Sequence, residues 1–308
     1  MLRVVVLGAA AGGGVPQWNC GCEGCRAARA DPGGLQRTQA SLAFSADDKH
    51  WFLINASPDL RQQLNATTQL HPRNGTLRNT PIAGVILTNG EVDAIAGLLS
   101  MRESSPFTIY AHAKVLAILN ANSIFNVLNE HVRRQPINID RSFEPELPDG
   151  SPSGIGVLPF AVPGKSAWYL EGKAHPGGDD GIGDTLGLKI TDKASGKNFH
   201  FLAACAEVTD ELKADISGSS LIFFDGTVWR DDEIIKAGLG NKTGKRMGHV
   251  AMSGDHGAIE RLAGLDIERK IFLHINNSNP ALLPSSPERK AAEHAGWQIP
   301  ADGTEIVL

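Results

Sequence analysis

Cysteine is scarce in this chain. There are four in 308 residues, and three of them crowd together as Cys20, Cys22 and Cys25. That crowding is poor geometry for a disulfide framework and makes metal ligation the first reading of the thiols in a reducing compartment. Long apolar runs are missing as well. The opening MLRVVVLGAA is too short to span a bilayer and passes straight into Gly-rich chain and the cysteines. It reads as a first strand and turn rather than a cleaved leader, and no later segment is long enough to span. The expected compartment is the cytoplasm, with no membrane partner. No dense Lys/Arg run occurs and the formal net charge is −5, which gives no footing for nucleic acid. The chain lacks the Lys–Ser/Thr pair of a P-loop, a GxGxxG in its first turn and a GxSxG, so a phosphate cradle and a serine nucleophile are unsupported.

What is present is ordinary in bulk: 42% apolar and 20% charged residues, the balance of a soluble globular protein. The length suits one large α/β domain or two small ones. With no internal repeat and no separating linker, residues 1–308 read as a single domain carrying a CxCxxC metal-binding segment at 20–25. Strands are expected at Val4–Leu7, Gln39–Phe44, Trp51–Asn55, Val85–Leu87, Phe107–Ala111, Gly156–Phe160, Ala167–Leu170, Leu186–Thr191, Asn198–Ala203, Ser220–Phe224 and Lys270–Leu273, with Ile306–Leu308 closing an edge. Helices are expected after Ser57-Pro58, over Asp93–Met101, over Lys114–Leu128, from Thr209, over Ala258–Leu265 and over Glu288–Ala295. Gly172–Gly183 reads as a long loop able to cover a site. Strands clustered in both halves, each group followed by helices, fit two sheets packed inside outer helices.

Three of these strands run apolar and then stop at a residue able to bind metal. One precedes Asn89, Glu91 and Asp93, the second Asp225, the third His274. A ligand just beyond a rigid strand is held by the core behind it. Asp93, Asp225 and His274 are therefore candidates to converge on one metal, although Asp93 and Asp225 also suit helix caps and turns. The segment MGHVAMSGDHG adds His249, as ligand, general base or a hydrogen-bonded structural imidazole. It also holds Ser253 and His256; the latter reads as a helix-start residue. In HINNSNP, Asn276, Asn277 and Asn279 suit loop bracing, ligand orientation or polar substrate contact.

Cys20, Cys22 and Cys25 suit a structural zinc, which needs a fourth ligand, with redox or unused buried thiols as the alternatives. His294, His71 or an Asn of the His274 loop have the right chemistry. Cys205 reads as a buried packing residue.

The stretches LGAAAGGGVPQWNCGCEGCRAAR, RTQASLAF, LINASPDLRQQL, ILTNGEVDAIAGLLSMRE, FFDGTVWRDDE, MGHVAMSG and HINNSNPAL resemble the coenzyme PQQ synthesis protein B family over nearly the whole chain. The resemblance implies the metallo-β-lactamase fold, an αββα sandwich with two mixed sheets between outer helices. Hydrolases of that fold carry HxHxDH where this chain has Asn89, Glu91, Asp93 and Ala94, with further ligands matching Asp225 and His274. Loss of the histidines disfavours a two-zinc hydrolase. A carboxylate-rich site suits iron or manganese, and Asp93 with His249 and His274 would make a two-His, one-carboxylate set, with Glu91 and Asp225 as competing ligands.

By the same resemblance, the expected chemistry is iron(II)- and O2-dependent hydroxylation of the tyrosine ring of a cross-linked Glu–Tyr diamino acid during pyrroloquinoline quinone biosynthesis. Lys165, Ser253 and Asn276 are candidate substrate contacts. Other proteins of the pathway are expected partners, and a homodimer is left open. The alternatives are a soluble carrier moving PQQ or its precursor toward the periplasm, and a divergent metal-dependent hydrolase.

Overall fold

Alternate residues of the first strand go to different cores. Val4 and Val6 join one buried cluster and Val5 and Leu7 another, so both faces of the strand are covered and its sequence is apolar throughout. The structure, a computed structural model, describes residues 1–31, 33–73, 75–173 and 181–308. Most of the loop expected over Gly172–Gly183 therefore lies outside the described residues.

The strands are β1 (Arg3–Gly8), β2 (Ser41–Ser45), β3 (Trp51–Ile54), β4 (Ile82–Leu87), β5 (Phe107–His112), β6 (Val132–Ile137), β7 (Ile155–Ala161), β8 (Leu186–Asp192), β9 (Asn198–Leu202), β10 (Leu221–Asp225), β11 (Lys270–Leu273), β12 (Trp297–Gln298) and β13 (Glu305–Val307). The α-helices are α1 (Glu23–Ala30), α2 (Leu60–Ala66), α3 (Val92–Ile95), α4 (Ala113–Ala121), α5 (Asp210–Ile216), α6 (Glu233–Lys236), α7 (Ala258–Arg261) and α8 (Pro287–His294). One sheet runs β13-β1-β2-β3-β4-β5-β6 and the other β12-β11-β10-β9-β8-β7. Both are mixed: β3 to β6 and β9 to β12 pair in parallel, the rest antiparallel.

Between the sheets, Phe44, Phe52, Phe199 and Phe223 interlock, with Phe199 edge-on to Phe44 and Phe223 at 5.8 and 5.7 Å between ring centres. Each such buried ring contributes about 1.5–3 kcal/mol. A second core lies under α2, α3 and α4 against the seven-stranded sheet. A third lies under α1, α5, α7 and α8 against the six-stranded one. These layers are the expected αββα sandwich.

Three local expectations are corrected, and one strand is added. Ala167–Leu170 is no strand. It is a 3-10 turn over Trp168–Leu170, fastened to the neighbouring turn by Trp168 N–H on Glu91 Oε1 and Tyr169 O–H on the Gly90 carbonyl. The helix expected over Lys114–Leu128 breaks at Asn122, whose side chain takes the Ile118 carbonyl, and resumes as a 3-10 turn. Helix α7 is a single turn rather than Ala258–Leu265. Strand β6 is unforeseen: it is a sheet edge whose VRRQPI has mostly exposed side chains, so it carries little apolar signal.

Candidate metal centre

Parallel strands deliver their C-terminal ends to one place. Strand β10 ends on Asp225, β11 is followed at once by His274, and β4 leads through Thr88–Glu91 to Asp93 in the first turn of α3. His249 comes from a loop, after a 3-10 turn closed by Gly248 in the left-handed region. The loop is tied by His249 N–H to the Gly244 carbonyl and by Val250 N–H to the Cys205 carbonyl.

Ligand atoms of Asp225, His249 and His274 all lie within 4.8 Å of one another. His249 Nδ1 stands 2.7 Å from Asp225 Oδ2, and His274 Nε2 stands 2.9 Å from Asp93 Oδ2. The two imidazoles stack with ring centres 5.1 Å apart. Asp225 is fully buried and also accepts from Cys205 N–H at 2.9 Å and from Thr227 N–H at 3.0 Å. Burial opposes charge on both Asp93 and His274. Their shared hydrogen bond and mutual attraction outweigh it, so Asp93 is held below the usual carboxylate range and His274 above the usual imidazole range.

The site thus regroups the expected ligands. Asp225, not Asp93, completes the tight trio with the two histidines, and Asp93 stands against His274 as a second carboxylate. Glu91 is drawn away. Its Oε1 lies 2.9 Å from Lys165 Nζ and 2.9 Å from the Trp168 amide. Asn89 Oδ1 accepts from Glu91 N–H and so braces its own turn, while Ala94 is buried.

Lys165 is committed to Glu91 and Glu171, and Asn276 Nδ2 donates to Ser278 Oγ. Ser253 donates to the Trp229 carbonyl and lines a separate hollow of about 780 Å³ with Arg230, Asp255, His256 and Arg261.

The sequence reading missed Thr227. Its Oγ1 lies 2.7 Å from Asp225 Oδ1, 3.0 Å from His249 Nδ1 and 2.8 Å from His274 Nδ1. One hydroxyl therefore touches every member of the trio. The signal in the sequence is the Asp-Gly-Thr turn, in which an aspartate takes the amide two residues on.

The second cluster is Cys20, Cys22 and Cys25, with sulfurs within 4.8 Å of one another. Burial raises the Cys22 thiol to about 11. Soft thiolates in a half-closed pocket suit zinc. Asn277 is the neighbour in place: its Nδ2 lies 3.3 Å from Cys25 Sγ and 3.6 Å from Cys22 Sγ. His71 instead faces the Asn65 carbonyl, and His294 is exposed at the end of α8. Cys205 is buried, as expected of a packing residue.

A family model described as "Beta-lactamase superfamily domain" matches residues 50–275, ending one residue past His274 and leaving the cysteine segment outside. The coenzyme PQQ synthesis protein B of Bradyrhizobium diazoefficiens is 81% identical over the full length of both chains. The chain belongs to the coenzyme PQQ synthesis protein B family. The family's protein from Gluconacetobacter diazotrophicus is 53% identical over 99% of both chains. A crystal structure of zinc-bound PqqB from Methylobacterium extorquens is 46% identical, covers 99% of this chain and 100% of its own, and superposes with a TM-score of 0.91.

A diphosphatase of the PhnP family, 18% identical with a TM-score of 0.67 over 100% of this chain and 98% of its own, shares the fold. Membership of the PQQ synthesis protein B family at this identity gives the chain a role in PQQ biosynthesis. Two metal-ligand clusters on a metallo-β-lactamase frame support metal-dependent catalysis as that role.

Proposed function

We propose that this chain is an iron(II)- and dioxygen-dependent hydroxylase acting on the tyrosine ring of the cross-linked Glu–Tyr diamino acid on the way to pyrroloquinoline quinone. The observation that carries the reading is the gathering of Asp225, His249 and His274, with Asp93 beside them, where Asn89, Glu91 and Ala94 offer no further histidine. The donor set fits iron: two imidazoles and a carboxylate match the facial arrangement of non-haem iron oxygenases, while the histidine-rich set of a two-zinc hydrolase is missing. Iron(II), when bound by these residues, supplies the one-electron chemistry that lets dioxygen react with the ring.

The chain's own residues do the rest. Asp225 holds His249 by Nδ1, and Thr227 fixes the tilt of both rings. Asp93 holds His274 at Nε2 and favours its charged form until a metal replaces the proton. The Lys165–Glu91 pair and the Trp168 turn wall the side of the site next to α3. We take the whole chain as one cytoplasmic domain and the cysteine segment at 20–25 as its structural zinc site.

Anaerobic reconstitution with ferrous iron, then addition of dioxygen, the cross-linked diamino acid and a two-electron reductant such as ascorbate, tests the reading: one oxygen atom enters the ring and the other leaves as water. A product heavier by oxygen, absent without iron, is expected. Unchanged substrate with the iron site filled contradicts it.

A further inference from the structure

Asn277 belongs to the loop that carries His274, and it is also the residue on which the thiols close. Its side-chain amide faces Cys25 and Cys22 at 3.3 and 3.6 Å, and its carbonyl accepts from the Cys22 thiol at 3.3 Å. The fit is close: a methyl on Gly24, at the start of α1, would sit 2.8 Å from that carbonyl. Three residues before Asn277, His274 holds φ at +56°. A side chain other than Gly keeps that left-handed backbone only where its surroundings over-determine it.

The restraints come from two sides. From the six-stranded sheet, Asn276 N–H donates to the Thr227 carbonyl at 3.1 Å, and Asn279 Nδ2 to the Gly226 carbonyl at 2.9 Å. From the other side, Ile275 pairs by both its amide and its carbonyl with Ala9 and Ala11, each at 2.9 Å. Ala9 and Ala11 begin the stretch that runs on to the cysteines. That stretch also runs close beside Asp93, so that a Cβ added on Gly12 would lie 3.3 Å from Asp93 Oδ2.

We propose that the cysteine cluster is a positioning device for His274. Zinc gathered by Cys20, Cys22 and Cys25 turns the thiols into thiolates, which lose the Cys22 bond to the Asn277 carbonyl but accept more strongly from the Asn277 side-chain amide; that locks Asn277, and Asn277 holds the His274 loop in the conformation the strand-end centre needs. The two sites are then linked, and each raises the other's affinity by the same factor. The inference rests on the strand-end cluster being a metal centre, and not on the reaction it carries out.

Two variants approach the contact from opposite sides without touching a strand-end ligand. Asn277→Ala removes the side-chain amide, and Gly24→Ala pushes against the Asn277 carbonyl. Each protein is given one equivalent of zinc, its cysteine-bound zinc is verified, and cobalt(II) is titrated into the strand-end centre while its visible bands are recorded. The expected result is a cobalt Kd about tenfold weaker in both variants, with shifted bands. A Kd within twofold of the parent protein and unchanged bands in folded, zinc-holding variants overturns the proposal.

If either variant fails to fold, the parent protein decides. Amides of residues 274–279 exchange more slowly with zinc on the cysteines than without it if the coupling exists, and equal exchange overturns it. A failed oxygenation assay leaves these readouts unaffected, because none uses substrate or dioxygen.

Discussion

Thr227 shows how one hydroxyl can order a candidate metal site. It contacts Asp225 and both imidazoles, and it also lies 3.0 Å from the His274 carbonyl. Groups that orient ligands are worth about 10–100-fold in metal affinity. Thr227→Val removes the hydroxyl, so iron(II) binding should weaken by about that factor, and the buried Asp225 left without this donor should cost about 1–3 kcal/mol of stability. Isothermal titration under anaerobic conditions reads the change. An unchanged affinity would mean the rings are held by Asp93 and Asp225 alone.

A third imidazole, buried away from the strand-end cluster, acts on stability instead. His200, in β9, faces Ser219 Oγ at 2.7 Å. Burial first, and then the Lys189 charge, lower it from 6.5 to about 3. The unfolded chain takes up this proton near 6.5 and the folded chain does not until about 3. Between those values the unfolded state binds more protons, so stability falls as pH drops, by up to about 1.4 kcal/mol per pH unit. His200→Gln should flatten the loss of stability measured by urea melts between those pH values. An unchanged slope would place the acid sensitivity elsewhere.

At the scale of elements, the strands were the most legible part of the sequence. Apolar runs such as LIFF and KIFL are covered on both faces, so their limits show in composition alone. The edge strand β6 was not legible, because VRRQPI is largely solvent-facing and its pairing with β5 is a tertiary event. The expected Asp93–Met101 helix survives in direction, but it tightens to a 3-10 turn at Ala96 because the chain passes Ala56 and Ser57 at close range. Gly97 makes that passage possible. Its N–H donates to the Ala56 carbonyl at 2.8 Å, and a Cβ there would fall 2.0 Å from the Ser57 carbonyl oxygen. Gly97→Ala should therefore cost about 1–3 kcal/mol or more and displace Asp93 along with α3. Chemical denaturation together with the iron affinity checks both effects. A neutral substitution would show that the α3 turn is free to shift.

For the whole molecule, two sheets with three apolar cores make a frame on which strand ends meet, and the candidate ligands sit at those ends. The sequence already named Asp225, His249 and His274 as candidates, because each followed an apolar strand or a Gly turn. It did not reveal that Asp225 rather than Asp93 closes the trio or that Glu91 pairs with Lys165, and it offered an Asn of the His274 loop beside His71 and His294 as the thiols' partner without choosing Asn277. Those facts depend on contacts across 24, 74 and more than 250 residues of chain. No helix among the described residues is long and apolar enough to cross a membrane.

The most direct test of hydroxylation is a single turnover of the iron(II)-loaded protein with isotopically labelled dioxygen, the cross-linked Glu–Tyr diamino acid and a two-electron reductant that carries the second oxygen atom to water. One labelled oxygen in the ring of the product, lost in His249→Ala and His274→Ala, is the expected result. Substrate recovered without label, from protein shown to hold iron at the strand-end centre, would contradict it.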